Sequence, residues 1–88
     1  MRRESEFFGE EELVLVYMAR RLKDALALEK VFDAGDLDYA VETAPYLSGL
    51  LFPFSRTGAF FYVVPQVETR ALDLLRTHGY KPYEKPRK

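Results

Sequence analysis

The stretch 58–65, Gly-Ala-Phe-Phe-Tyr-Val-Val-Pro, constrains the fold of this chain more than any other. It is rich in aromatic and β-branched residues, as strands are, and it ends at Pro65, which cannot donate to a ladder. Both alternating faces are apolar, one formed by Ala59, Phe61 and Val63 and the other by Phe60, Tyr62 and Val64. A strand with one solvated face alternates apolar and polar residues, so this strand must be covered on both sides. We predict that it is the central strand of a small sheet.

The segments before this strand predict two more strands and a helix. Residues 13–19 are apolar at every position and form the first strand. Residues 22–34 have apolar residues at helical spacing and are followed by Gly35, which is expected to take the left-handed conformation that closes many helices. Residues 36–43 alternate between apolar and polar positions, which is typical of an outer strand with one polar face.

A second helix is predicted after the central strand. Its apolar stripe has helical spacing and consists of Val67, Ala71, Leu74, Leu75 and His78. Gly79 follows as a C-cap, and the basic, proline-broken residues 81–88 form a tail. The chain 1–88 is therefore predicted to be a single domain with a core at 13–80. The charged arm 1–12 is either loosely held or docked through its two phenylalanines.

The connection 44–57 does not have the pattern of a regular element, because it contains Pro45, Gly49 and Pro53. It is nevertheless too apolar for a solvated loop. Its large apolar residues are Tyr46, Leu47, Leu50, Leu51, Phe52 and Phe54, and Arg56 follows them. Aromatic residues and arginine are enriched at interface cores, so this connection is predicted either to cover the sheet as a lid or to form a partner-binding or oligomer surface.

The element order β-α-β-β-α predicts an α+β fold. A right-handed crossover through the first helix makes strands one and two parallel, with room for one strand between them. The strand at 58–64 returns antiparallel into that gap, which gives a three-stranded sheet of order 1-3-2 with two helices on one face. This is a ferredoxin-like arrangement that lacks or replaces its fourth strand.

Such a sheet keeps a helix-free face that is still apolar, and its first strand is an apolar edge with no assigned neighbour. Bare surfaces of this kind promote aggregation. We therefore expect a second subunit, most simply in a homodimer, or the connection 44–57 to cover them.

The composition excludes several classes of protein. The 88 residues carry a formal net charge of -1, which gives no electrostatic reason to expect nucleic acid or an anionic membrane as a partner. There is no cysteine, so disulfides and thiolate chemistry are excluded and zinc loses its usual structural ligands. The apolar run 13–19 is too short, and too closely preceded by acids, for a signal sequence or a membrane span. A cytoplasmic protein is expected.

The titratable residues contain no strong catalytic or metal-binding motif. His78 has no partner at ligand spacing and is interpreted as a helix-end histidine. No serine stands in the context of a nucleophile elbow. The acidic run 10–12 is interpreted as a solvated segment, and Asp36 with Asp38 as a turn. No catalytic residue, metal or cofactor is predicted.

Several segments together resemble a known family. They are Val14-Leu-Val-Tyr17, Asp33-Ala-Gly35, Asp38-Tyr-Ala-Val41, the stretch 58–65, and Ala71-Leu-Asp-Leu-Leu75 followed by Gly79. Over 13–80 the chain resembles the small family of prokaryotic signal-transducing proteins, which is grouped with the PII-like, nitrogen-regulatory superfamily. The resemblance implies a PII-like fold, a role in bacterial signal transduction, and an effector element at 44–57.

Three functions remain open. The first is a small regulatory or protein-interaction module that is not an enzyme. The second is a PII-like sensor in which Arg56, with Arg20, Arg21 or Lys23 at the start of the first helix, holds an anionic ligand between subunits. The third is a small ferredoxin-like enzyme that uses a lone histidine or tyrosine in an apolar cleft. A flat apolar patch at 46–54 would favour the module, and a pocket with convergent arginines would favour the sensor.

Overall fold

The computed structural model of the protein describes residues 1–48 and 54–83, with side chains described for 1–45 and 57–83. Its strands are β1 (Val14–Ala19), β2 (Ala40–Ser48) and β3 (Phe54–Val63), and its helices are α1 (Leu22–Ala34) and α2 (Glu68–Thr77). Short 3-10 turns at Ser5–Phe8 and Pro65–Val67 precede β1 and α2. The predicted order β-α-β-β-α is confirmed.

The sheet has the strand order β1-β3-β2, and β3 runs antiparallel to both of its neighbours. β1 and β2 are therefore parallel to each other, as expected for two strands joined through α1. This order was predicted because the crossover leaves room for one strand between β1 and β2, and β3 is apolar on both faces. The fold is thus α+β, with a three-stranded open sheet and two helices.

One hydrophobic core lies between the two helices and one face of the sheet. Phe61 of β3, Leu28 and Phe32 of α1, and Leu75 of α2 are all fully buried in it. The helices contact each other, and both contact β1. Phe61 is an aromatic centre of this core, because its ring centroid lies 6.1 Å from that of Phe32 and 5.9 Å from that of Tyr39. Both helices therefore cover the same side of the sheet.

The end of α1 differs from the prediction. Gly35 has an ordinary φ of -82°, and the left-handed conformation, with φ 57°, belongs to Asp36. Aspartate tolerates this conformation better than most residues, because its short polar side chain can hydrogen-bond locally. Gly35 has a different role, since a Cβ there would lie 2.8 Å from Leu74 Cδ1 of α2. At the end of α2 the C-cap is His78, and Gly79 follows it with a left-handed φ of 83°.

The largest correction concerns the connection 44–57. β2 continues to Ser48 and β3 begins at Phe54, so most of this segment is the distal part of a β-hairpin. β2 also begins later than predicted, at Ala40. Pro45 is compatible with this ladder because β2 is an edge strand, where a missing N–H can be tolerated. The turn signals in this segment are therefore outweighed by pairing with β3.

The outer edge of β1 is not bare. β1 has an irregularity at Val16, where the pairing with β3 shifts between Leu15 and Tyr17. The Val16 carbonyl accepts a hydrogen bond of 2.8 Å from the backbone N–H of Tyr83. The ring of Tyr80 packs edge-on against Tyr17 at a centroid distance of 5.5 Å. The first strand, to which the sequence assigned no neighbour on this edge, is therefore met there by the segment after α2.

The N-terminal arm is held against the start of β2. Tyr39 forms a parallel bridge with Arg2, through backbone hydrogen bonds to the residues on either side of it. Arg3 pairs with Asp38 at 3.0 Å, and its guanidinium lies over the ring of Phe7 at 4.4 Å from the centroid. The interpretation of a loosely held arm is wrong for these residues, since backbone hydrogen bonds and an ion pair fix them to the body.

Tyr39 is expected to make the stability of the fold sensitive to alkaline pH. Its side chain is fully buried, and its hydroxyl donates to Asp33 Oδ1 at 3.1 Å, with Glu29 Oε1 at 3.4 Å. Burial, the hydrogen bond to Asp33 and the charge of Glu29 raise the pKa of Tyr39 well above its ordinary value. The ionised form is disfavoured only in the folded state. The stability is therefore intact below about pH 10 and falls above it, by up to about 1.4 kcal/mol per pH unit.

Tyr39→Phe removes this titration. Urea unfolding at about pH 8 and about pH 11 is expected to show a smaller loss of stability for the variant than for the wild type. At the lower pH the variant is expected to be about 1 kcal/mol less stable, because a buried hydrogen bond is lost. Burial also raises the pKa of Tyr17 and Tyr62, so some alkaline sensitivity remains in both proteins. Equal losses in the two proteins would contradict the assignment to Tyr39.

Candidate functional site

An apolar surface lies on the side of the sheet opposite the helices. It consists of two rows that cross the three strands, and within each row the residues are direct neighbours in the register. The rows are Leu15–Tyr62–Ala40 and Met18–Phe60–Glu42. We call these six residues the open sheet face. Along β3 they alternate with Phe61 and Val63, which are buried in the core. The open sheet face therefore contains one of the two apolar sets that the sequence places on the central strand.

The open sheet face is partly exposed. Its four large apolar side chains have intermediate exposure, Ala40 is 8% exposed, and Glu42 is exposed. Among the described residues, the hydrophobics that pack against the core cluster do not include these four large side chains. Burial, and then the charge of Glu42, raise the pKa of Tyr62, so its hydroxyl is neutral at physiological pH. The result is an aromatic and aliphatic surface with one acidic group, which is suited to contact with another apolar surface.

The N-terminal arm borders this face and forms a cavity with it. The cavity has a volume of about 470 Å³, and its lining includes Arg3, Glu4 and Ser5 of the arm together with Glu42 and Tyr62 of the sheet. A tyrosine beside two carboxylates is a combination that an enzyme could use. The raised pKa of Tyr62 keeps its hydroxyl protonated, which suits a general acid and not a general base near neutral pH. The cavity also extends the open sheet face, because Ala40, Glu42 and Tyr62 belong to both.

A second candidate site is a cleft at the N-terminal end of α1. Its volume is about 350 Å³, and its lining includes Tyr17, Arg20, Arg21, Asp24 and Lys81. Burial, followed by the charge of Asp24, raises the pKa of Tyr17, and Arg20 acts in the opposite direction. Tyr17 therefore offers the cleft a neutral hydroxyl. The cleft combines three cations with one carboxylate.

The structure brings together part of the predicted anion-binding set. Arg20 and Arg21 line the cleft, whereas Lys23 is exposed on the first turn of α1 and is not among the lining residues. Arg56 stands on β3 opposite Tyr46, and its side chain lies outside the described residues. Convergence of Arg56 on the arginine pair therefore stays a prediction.

The predicted partner surface lies mostly outside the described residues. Leu50, Leu51 and Phe52 lie wholly outside them. Tyr46 and Phe54 have assigned positions on β2 and β3, and their side chains fall outside the description. A recognition surface at 46–54 remains a prediction.

His78 does not belong to the core. It is the exposed C-cap of α2, and its Nδ1 lies 3.0 Å from the Leu74 carbonyl oxygen. Its inclusion in the apolar stripe of the second helix is therefore wrong, whereas its interpretation as a helix-end histidine agrees with this position. Within 1–48 and 54–83, no cluster of three or more His, Cys, Asp or Glu residues could hold a metal ion.

Sequence reasoning missed two parts of these sites. Which residues of β1 face away from the helices depends on the irregularity at Val16, and the sequence contains no sign of it. Lys81 was assigned to a tail, because no local pattern indicates that the chain after Gly79 turns back to β1. The backbone hydrogen bond from Tyr83 to Val16 is what places Lys81 beside the arginines.

No protein-family model, curated protein or solved structure matches this chain. None of the described helices is both long enough and apolar enough to cross a membrane. The function of the protein is therefore inferred from its own geometry, which is that of a small α+β domain with an apolar sheet face and a basic cleft.

Proposed function

We propose that this protein is a small regulatory or protein-interaction module rather than an enzyme, and that it works as a homodimer joined through the open sheet face. The observation that carries this proposal is the pair of cross-strand rows that set Leu15 beside Tyr62 and Met18 beside Phe60. These side chains keep partial exposure and do not pack against the core among the described residues. Contiguous apolar surface of this kind marks interaction sites on small domains.

Association through the sheet edges is less favourable. The edge of β1 already accepts a hydrogen bond from Tyr83, and the edge strand β2 contains Pro45, which has no N–H to donate. Both features discourage the addition of a strand from another molecule. The open sheet face is therefore the surface on which a second molecule buries apolar area.

A second copy of the chain suits this surface. In a twofold dimer each open sheet face meets the same face of its partner, so apolar rows meet apolar rows. The formal net charge of -1 offers little repulsion between copies. The 6 residues of β1 limit the length over which all three strands are present to about 20 Å, and three strands give a width of about 14 Å. This is small for a stable interface, so we expect dissociation constants in the micromolar range.

We also propose a more specific class for the fold. The strand order 1-3-2 and the return of 80–83 to the edge of β1 support a ferredoxin-like arrangement, in which 80–83 would take the place of the fourth strand. This arrangement is compatible with the PII-like signal-transducing proteins that the sequence resembles. The hairpin at 44–57 would then be the effector element of a signalling dimer.

Sedimentation velocity over about 1–200 μM tests the dimer. We expect the wild type to shift from monomer to dimer across this range. Phe60→Lys is expected to weaken the dimer by at least about a hundredfold, because a charge would be buried in an apolar interface. Lysine suits this position in the monomer, since Glu42 lies directly opposite it on β2.

Leu26→Lys is the matched control. Leu26 is 50% exposed on α1, on the other side of the sheet, so this substitution adds the same charge without touching the proposed interface. We expect its dimer to be as stable as that of the wild type. A wild type that stays monomeric at the highest concentration, or a Phe60→Lys variant that dimerises normally, would overturn the proposal.

A further inference from the structure

The charges at both ends of α1 oppose the helix dipole. A helix N-terminus carries a partial positive charge that favours acids, and the C-terminus favours bases. α1 instead follows Arg20 and Arg21, while its last turn contains Asp33 and no basic residue. Asp24 in the first turn offsets this only in part. Opposite charges placed at both ends by other parts of the structure would therefore stabilise this helix.

At the C-terminal end the chain supplies these charges itself. Arg3 of the arm pairs with Asp38 at 3.0 Å. Arg70 of α2 donates a hydrogen bond to the carbonyl of Gly35, the C-cap of α1. Arg70 thus places a cation at the C-cap of α1, and Arg3 pairs with an acid that follows the helix.

At the N-terminal end the described lining of the cleft supplies one anion, Asp24 of the first turn itself, against three cations. The ion pairs found within 1–48 and 54–83 do not include Arg20, Arg21 or Lys81. The first helical hydrogen bond runs from the Ala25 N–H to the Arg21 carbonyl, and Arg21 makes no side-chain cap bond. The preceding N–H groups of the first turn therefore add to the positive potential of the cleft.

We propose that the cleft formed by Arg20, Arg21 and Lys81 binds the phosphate group of a small ligand. Arginine forks bind phosphate oxygens in pairs, and lysine adds a point charge. The volume of about 350 Å³ exceeds the needs of one phosphate ion, and Tyr17 and Tyr83 line the same cleft. These rings offer a surface for the organic part of a phosphomonoester. The cleft adjoins the open sheet face at Met18, which belongs to both, whereas its three cations lie outside that face.

Isothermal titration calorimetry at constant ionic strength tests this site, with phenyl phosphate and inorganic phosphate as probes and chloride as the balancing anion. We expect saturable binding of phenyl phosphate, tighter than that of inorganic phosphate. Arg21→Ala and Lys81→Ala are each expected to weaken it by about tenfold or more, because each removes a charge-assisted hydrogen bond. Lys30→Ala removes an exposed cation of α1 that does not line the cleft, and should change the affinity by less than about twofold.

Equal affinity for phenyl phosphate and inorganic phosphate would show that a free phosphate ion is sufficient for binding, and the proposed phosphate site would stand. The proposal is overturned if neither probe binds saturably below about 10 mM, or if the Arg20→Ala/Arg21→Ala double variant binds as tightly as the wild type. Both arginines are exposed, so the double variant is expected to fold, which circular dichroism can verify.

Discussion

Replacement of Phe61 by alanine is expected to lower the free energy of unfolding by about 3–5 kcal/mol. Phe61 is fully buried in the central strand, and its ring centroid lies within 6.4 Å of those of Tyr17, Phe32 and Tyr39. Alanine would remove these contacts and leave a cavity that close-packed surroundings cannot fill. Such a loss is a large part of the stability of a small domain. Urea unfolding followed by circular dichroism measures it.

Phe60→Ala is the matched control for this experiment. Phe60 is the same residue type one position earlier in β3, and it has intermediate exposure on the open sheet face. We expect it to cost about 1 kcal/mol when measured at a concentration where the protein is monomeric. Similar losses for the two variants would contradict the assignment of Phe61 to the core side of the sheet.

Leu28→Ala is expected to have the second largest effect, a loss of about 2–5 kcal/mol. Leu28 is fully buried, and with Ala25 and Phe32 it forms the buried stripe of α1. The same measurement applies, urea unfolding followed by circular dichroism. The loss reports how firmly α1 is packed on the sheet.

Leu26→Ala is the control on the same helix. Leu26 is 50% exposed, and the change in helix propensity is the same at both positions. The difference between the two variants therefore isolates burial. We expect Leu26→Ala to change the stability by no more than about 1 kcal/mol. A loss as large as that of Leu28→Ala would mean that α1 packs through a different face.

The features predicted correctly are those that local patterns control. The bounds of α1 follow from helical spacing between Arg21 and Gly35, and its observed range is the predicted one. The central place of β3 follows from the apolar character of both its faces, and with it the order of the sheet. In each case the physical cause, the burial of apolar side chains at a fixed period, acts within a few residues.

The candidate sites were only partly predictable for the same reason. Phe60 and Tyr62 belong to an apolar set that is visible in the sequence, so an apolar sheet face could be expected. Their neighbours Leu15 and Met18 depend on the shift of register at Val16, which is a property of the pairing of β1 with β3. In the basic cleft, Arg20 and Arg21 could be predicted from their place before α1, whereas Lys81 could not.

Within 1–48 and 54–83, the sequence alone determined the type and the order of the strands and α-helices, because periodic burial and chain direction act locally. The tertiary structure decided where non-local pairing outweighs local signals. β2 runs through Pro45 because pairing with β3 stabilises it there, and the arm is fixed because Arg2 and Arg3 meet Tyr39 and Asp38. These contacts join residues far apart in the chain, and their free energy appears only once the fold has brought the two partners together.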